Sequence, residues 1–294
     1  MKHLDDFNDD NLELWLTLAL SSQKANVSTL EEIKDSVIDA YTEYQNIISN
    51  HSDKPSATNF EEHSDLLVDF YNAPPKNLSK LIKHRRNEHG LLECPFCGYP
   101  TSPDTLDHFI PKDDWPEYSI FANNLVPQCR GCAPTKGKKY YCDENNQAIF
   151  IHPIYSDILS KINFRHYIDF NTDSNKIVFR ITITLPRNIL EDQETLRKIN
   201  LHFDMLNIKT RAVYFSHRKI RHWKNLLKQN NFDLRLALTT RLNEKSEAQH
   251  YKDWESSLYK SMLENDSLID YLQSIGEQVE PSELTTDDRF ELEI

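Results

Sequence analysis

The chain has 294 residues, 38% of them hydrophobic and 27% charged, with a net charge of −12. That length allows one large domain or two to three smaller ones and buries a real core. Only five glycines occur, and no GxGxxG or GxxxxGK[ST] motif appears, which argues against Gly-rich nucleotide loops.

In chain order, residues 1–90 read as a helical region. "STLEEIKDSVIDAYTEYQNII" opens with Ser28 and Glu31 at capping-box spacing, and Ile33, Val37, Tyr41 and Tyr44 then recur at helical intervals. "NFEEHSDLLVDFY" is a second helix stopped by Pro74 and Pro75, and "NLSKLIKHRR" is a short basic third. Residues 91–156 form a Cys/His-rich centre. Residues 157–294 begin with two alternating runs, "NFRHYIDF" and "KIVFRITITL", joined by "NTDSN", which together predict a β-hairpin. Phe164, His166, Ile168 and Phe170 face one way, and Ile177, Phe179, Ile181, Ile183 and Leu185 do the same. Further helices follow, including the basic amphipathic "RAVYFSHRKIRHWKNLLKQ", and the chain closes on an acidic tail. The expected fold class is α+β, mostly helical around a small central core.

The acidic N-terminus lacks an apolar run suited to a signal peptide. No stretch approaches the ~18–20 apolar residues of a membrane helix. A cytoplasmic location and no membrane partner are expected. In that reducing compartment, cysteines in pairs read as metal ligands before disulfides. Cys94 and Cys97, then Cys129 and Cys132, form two C-x2-C pairs. Each pair can reach one ion, and four thiolates complete a closed tetrahedral zinc site, which is structural because it has no open position. Incidental burial is the alternative. Cys142 is left over and reads as a small core residue.

Between the pairs stand Asp107-His108, Pro111-Lys112 and Asn124-Leu125, with Lys136-Gly137 just beyond. These elements, in this order with two bracketing C-x2-C pairs, resemble the HNH (ββα-metal) endonuclease family, zinc-bound subgroup. The resemblance covers residues 91–156 and is closest to the HNH nuclease subunits of Septu-type bacterial anti-phage systems. It implies a metal-dependent DNA endonuclease with His108 as general base, Asp107 as ligand to a catalytic Mg²⁺ or Mn²⁺, and Asn124 orienting His108. It also implies an ATPase partner in a hetero-oligomer. The chemistry is consistent: phosphodiester hydrolysis needs an activated water and stabilised charge. On a strand, however, Asp107 and His108 would point to opposite faces, so a bend is needed for both to meet the substrate.

At position 133 the chain departs from the family pattern, which places Asn or His there as the remaining cation ligand. Ala133 has no donor atom. A single gap filled by alanine reads as a substitution for a native asparagine, with natural decay as the alternative; either weakens or abolishes turnover. Thr135 is a possible replacement ligand. A non-catalytic zinc-bound subunit with a vestigial core, binding nucleic acid or protein, is the competing reading.

A −12 chain binds DNA poorly through bulk electrostatics, so local cations are needed. Lys112, Arg130, Lys136, Lys138 and Lys139 would position phosphate near the core. Lys209, Arg211, Arg218, Lys219, Arg221, Lys224 and Lys228 form a second cluster, in which Tyr214 and Trp223 could stack bases.

Overall fold

The computed structural model describes residues 1–49, 54–144 and 146–277; the acidic tail expected from the sequence lies outside the described residues from 278 on. The described part mixes helices with three antiparallel two-stranded hairpins. In chain order come α1 (Leu14–Leu20), α2 (Val27–Glu32), α3 (Lys34–Ser49), α4 (Ser64–Asn72) and α5 (Lys76–Asn87). The centre holds β1 (Thr105–His108), β2 (Leu125–Gln128), α6 (Ala133–Lys136), β3 (Tyr141–Cys142), β4 (Gln147–Ala148) and α7 (Ile158–Lys161). Then follow β5 (Asn163–Asn171), β6 (Lys176–Thr184), α8 (Arg187–Glu191), α9 (Gln193–Met205), α10 (Ile208–Gln229), α11 (Leu234–Asn243), α12 (Trp254–Leu263) and α13 (Asp266–Glu277).

The helix expected from Ser28 is two helices, broken at Ile33, whose backbone leaves helical geometry (ψ 1°). Ser28 sits inside α2 rather than at its cap, which is Asn26, so the capping box does not form. The apolar spacing still works: Val37, Tyr41, Tyr44 and Ile48 bury one face of α3. That face docks on the long β1–β2 connection, with Tyr41 stacked on Phe121 at 4.3 Å and Tyr44 edge-on to Tyr118 and Phe121.

The expected β5–β6 hairpin forms, with its two apolar rows on one face except Leu185, which lies just past the end of β6. Phe164 faces Ile183, His166 faces Ile181, Ile168 faces Phe179, and Phe170 faces Ile177. This inward row packs on α10 and α12, as cross-strand apolar pairs should. Asp192 caps α9 by accepting from the amides of Glu194 and Thr195. Buried side chains from Met1 to Leu272, drawn from all three expected regions, join one continuous core. Among the described residues, no helix is long and apolar enough to cross a membrane. Cys142 is half-buried in β3 rather than a core residue.

Candidate metal centre and active-site residues

Two tight turns build the cysteine cluster. In the first, the Gly98 amide donates to the Cys94 carbonyl at 2.8 Å and the Cys94 amide to the Tyr99 carbonyl at 2.9 Å. Gly98 adopts φ +71°, and a Cβ there would sit 2.6 Å from the Phe164 ring, so this turn requires glycine. In the second turn the amides of Cys132 and Ala133 both donate to the Cys129 carbonyl. All four sulfurs are buried and lie within 4.8 Å of one another. Cys97 Sγ and Cys129 Sγ are 3.8 Å apart, close to the edge of a tetrahedron with zinc–sulfur bonds of ~2.3 Å. The donor set therefore fits a zinc ion. Among the described residues it is the one group of three or more His, Cys, Asp and Glu side chains placed to hold a metal.

Arg211, on α10, closes this cluster. Its Nη1 donates to Cys132 Sγ at 3.3 Å and to the Leu206 carbonyl at 3.1 Å, and Nη2 lies 3.6 and 3.8 Å from Cys129 and Cys97. The guanidinium also packs over Trp254. Hydrogen bonds from the other three cysteines, joined by the charge of Arg211, hold the Cys129 thiol below its ordinary range, whereas burial pushes Cys97 up. Between the second pair, a Cβ at Gly131 would stand 2.3 Å from Arg211 Nη2, so the chain is bare there to admit the guanidinium. The expectation that Arg211 contributes to a nucleic-acid-binding cluster is corrected, because its donors face sulfur. Outer-shell donors of this kind tune metal affinity ~10–100-fold. Arg211→Gln is expected to speed zinc transfer to a competing chelator by about tenfold or more, read from a chromogenic release assay; an unchanged rate would reduce Arg211 to packing.

β1 and β2 pair antiparallel, with Asp107 opposite Val126 and His108 opposite Leu125. Residues 109–124 connect them, and α6 follows β2 after the second cysteine turn. Asn124 cross-braces this connection. Its Nδ2 donates to the carbonyls of Ile110 and Tyr118, and its Oδ1 accepts from the Ile110 amide at 2.7 Å and the Tyr44 hydroxyl at 2.8 Å. His152 extends the network. Its Nδ1 accepts from the Ile154 amide, so Nε2 carries the proton toward the Tyr44 hydroxyl at 3.2 Å. Asn124 therefore braces the loop beside His108 and does not touch the imidazole. Sequence reading missed Tyr44 and His152 as network members, since helical spacing marks Tyr44 only as core and His152 sits in an irregular segment.

His108 is half-buried at the end of β1. Its Nε2 donates to the Ser119 carbonyl at 3.0 Å, and its ring lies edge-on to Tyr71 at 4.3 Å. That bond leaves the lone pair on Nδ1. Burial pushes His108 down to about 3 against the raising effect of the Ser119 carbonyl, with Lys112 and Lys136 also lowering it. The imidazole is neutral throughout the physiological range.

Strand alternation sends Asp107 the other way. Its Oδ2 pairs with Lys136 Nζ at 3.1 Å, and Lys136 is fully buried. The same ammonium donates to the carbonyls of His108 and Phe109 at 3.2 and 3.1 Å, above the rings of Phe109 and Phe150. The expectation that Lys136 meets phosphate is therefore corrected: α6 turns this side chain inward, where its ammonium donates to two carbonyls and pairs with the Asp107 carboxylate. Burial raises the Asp107 carboxyl, and Lys136 opposes that. Ala133 offers no donor, and the Thr135 hydroxyl donates to the Gly131 carbonyl at 3.2 Å. As arranged, these residues do not make a site for a catalytic Mg²⁺ or Mn²⁺.

The remaining expected phosphate contacts lie at the surface with varied partners. Arg130 bonds Asp104, Lys112 and Lys138 share Asp113, and Lys139 donates to the Thr135 carbonyl. Lys219 pairs with Glu255, Arg218 reaches the Tyr99 hydroxyl, and Arg221 is exposed on α10. Lys209 and Lys228 are exposed, whereas Lys224 donates to the Tyr271 hydroxyl. Trp223 is buried in the core, whereas Tyr214 is 66% exposed.

No family model matches the chain, and no solved structure matches it. Over 123 residues it is 37% identical to Protein ea31 of Escherichia phage lambda; the matched stretch covers 40% of this chain and 39% of that protein.

Proposed function

We propose that this chain is an HNH-type DNA endonuclease subunit whose present sequence cuts slowly, because position 133 lacks a cation ligand and Asp107 is held by Lys136. The observation that carries the reading is the order strand, braced loop, strand, helix. It places His108 at a strand end with one ring nitrogen fixed by Ser119, beside an Asn124 that locks the loop. A neutral imidazole with a held tautomer is the form that accepts a proton from water. Its pKa of about 3 makes it a weak base in the free chain; the negative charge of an approaching phosphodiester shifts it upward, toward the range where general bases work. The cysteine cluster supplies scaffold and no chemistry. A bacterial anti-phage role with an ATPase partner follows from the sequence resemblance, and the net charge of −12 fits a subunit that relies on a partner to engage DNA.

The Asp107–Lys136 pair favours a second reading, a zinc-bound nucleic-acid- or protein-binding subunit without turnover. There the ammonium occupies the carboxylate that a cation would need. Plasmid nicking with added Mn²⁺ separates the two. Ala133→Asn is expected to nick at least tenfold faster than the unmodified chain, on the order of one lost transition-state contact. If neither protein nicks, the non-catalytic reading stands.

A further inference from the structure

The two zinc-knuckle turns and α10 enclose an open groove of about 470 Å³ that neither Asp107 nor His108 lines. One wall presents Arg130 and Tyr99; α10 presents Tyr214 and Arg218; Arg211 forms part of the lining beside Cys129. We propose that this groove holds a segment of single-stranded nucleic acid, with an unpaired base stacked on Tyr214 and flanking phosphates on Arg218 and Arg130. The ligand class rests on the phosphodiesterase reading above; the location rests on the groove itself.

Three observations carry it. Tyr214 is 66% exposed, whereas Phe215, Ile220, Trp223 and Leu227 of the same helix are buried. An aromatic ring held in water at a groove wall offers its face to a partner ring. Arg218 follows Tyr214 by four residues and so shares its helix face, and Arg221, one further turn on, is exposed as well. Arg130 approaches from the opposite wall, where its bond to Asp104 uses one of five N–H donors. Arginines thus converge on the groove from both walls against one carboxylate, Asp104, in a chain whose net charge is strongly negative. Arg211 is committed to sulfur, where it offsets part of the negative charge of a four-thiolate zinc site, and does not compete for the ligand. The volume suits a nucleotide-sized group rather than a duplex. In a duplex, stacked pairs expose no base face for Tyr214 to cover, which favours the unpaired strand.

The test is fluorescence anisotropy on the whole chain at low salt, without added divalent cation, using a labelled oligothymidylate of about twelve nucleotides and a duplex of equal length. The single strand is expected to bind more tightly. Tyr214→Ala should weaken it roughly tenfold, and Arg218→Gln should weaken it and lower the salt slope by about one. Leu236→Ala, an equally exposed apolar residue on α11, should change nothing. Unaltered binding in Tyr214→Ala, or tighter binding of duplex, overturns the proposal. No cleavage is measured, so absence of nicking in Ala133→Asn leaves this result standing, and loss of the Tyr214 effect leaves the nuclease reading intact.

Discussion

Cys132→Ser is expected to yield aggregated chain with no soluble folded fraction, while the unmodified protein carries about one zinc per chain. The energetics are lopsided. A four-cysteine zinc site contributes roughly 10–16 kcal/mol of apparent binding energy, as large as the ~5–15 kcal/mol net stability of a typical domain. The four sulfurs tie two irregular turns to the start of α6 and, through Arg211, to α10. The β1–β2 ladder, with Thr105 opposite Gln128, runs up to the second turn but holds neither cysteine pair itself. A serine at 132 also takes away the closest sulfur acceptor of Arg211, leaving the half-buried guanidinium with the Leu206 carbonyl and two longer contacts to Cys129 and Cys97. Sedimentation and elemental analysis read the outcome. Folded chain without zinc, or a Cys132→Ser protein that melts with the parent, would show that packing alone sustains the turns.

With asparagine placed at position 133, His108→Ala should lower nicking by about 10²- to 10⁴-fold, the range for losing a general base. Zinc content and the melting transition should change little, because the imidazole makes one hydrogen bond to a carbonyl and an edge contact with Tyr71. His108→Gln distinguishes chemistry from positioning: it can still donate to the Ser119 carbonyl but has no basic nitrogen. Equal loss in both variants assigns the proton transfer to His108. Full activity in either removes it from the mechanism, and the weak basicity imposed by burial would then describe a structural histidine.

What the sequence determined by itself was local and periodic. The C-x2-C spacing announced a cysteine cluster because two intervening residues bring both thiols of a pair to one point. The alternation in the two runs marked a hairpin whose apolar rows meet across the strands, since slipping by one would turn one row to solvent. Helical spacing found the buried face of α3 even though its start was misplaced.

Tertiary structure alone decided the partners of the charged residues. Arg211, Arg218 and Lys136 look alike in sequence, as cations amid other cations. Yet Arg211 ends on sulfur, Arg218 at a groove, and Lys136 against Asp107 with 0% exposure. A cation on a helix carries no periodic mark of what will stand opposite it. The same holds for Asn124, whose four hydrogen bonds depend on Tyr44 from eighty residues away. Burial energy is a property of the residue type and its spacing, and can be read along the chain. Charge pairing is a property of two residues and the dielectric between them, and it exists only once packing has brought them together.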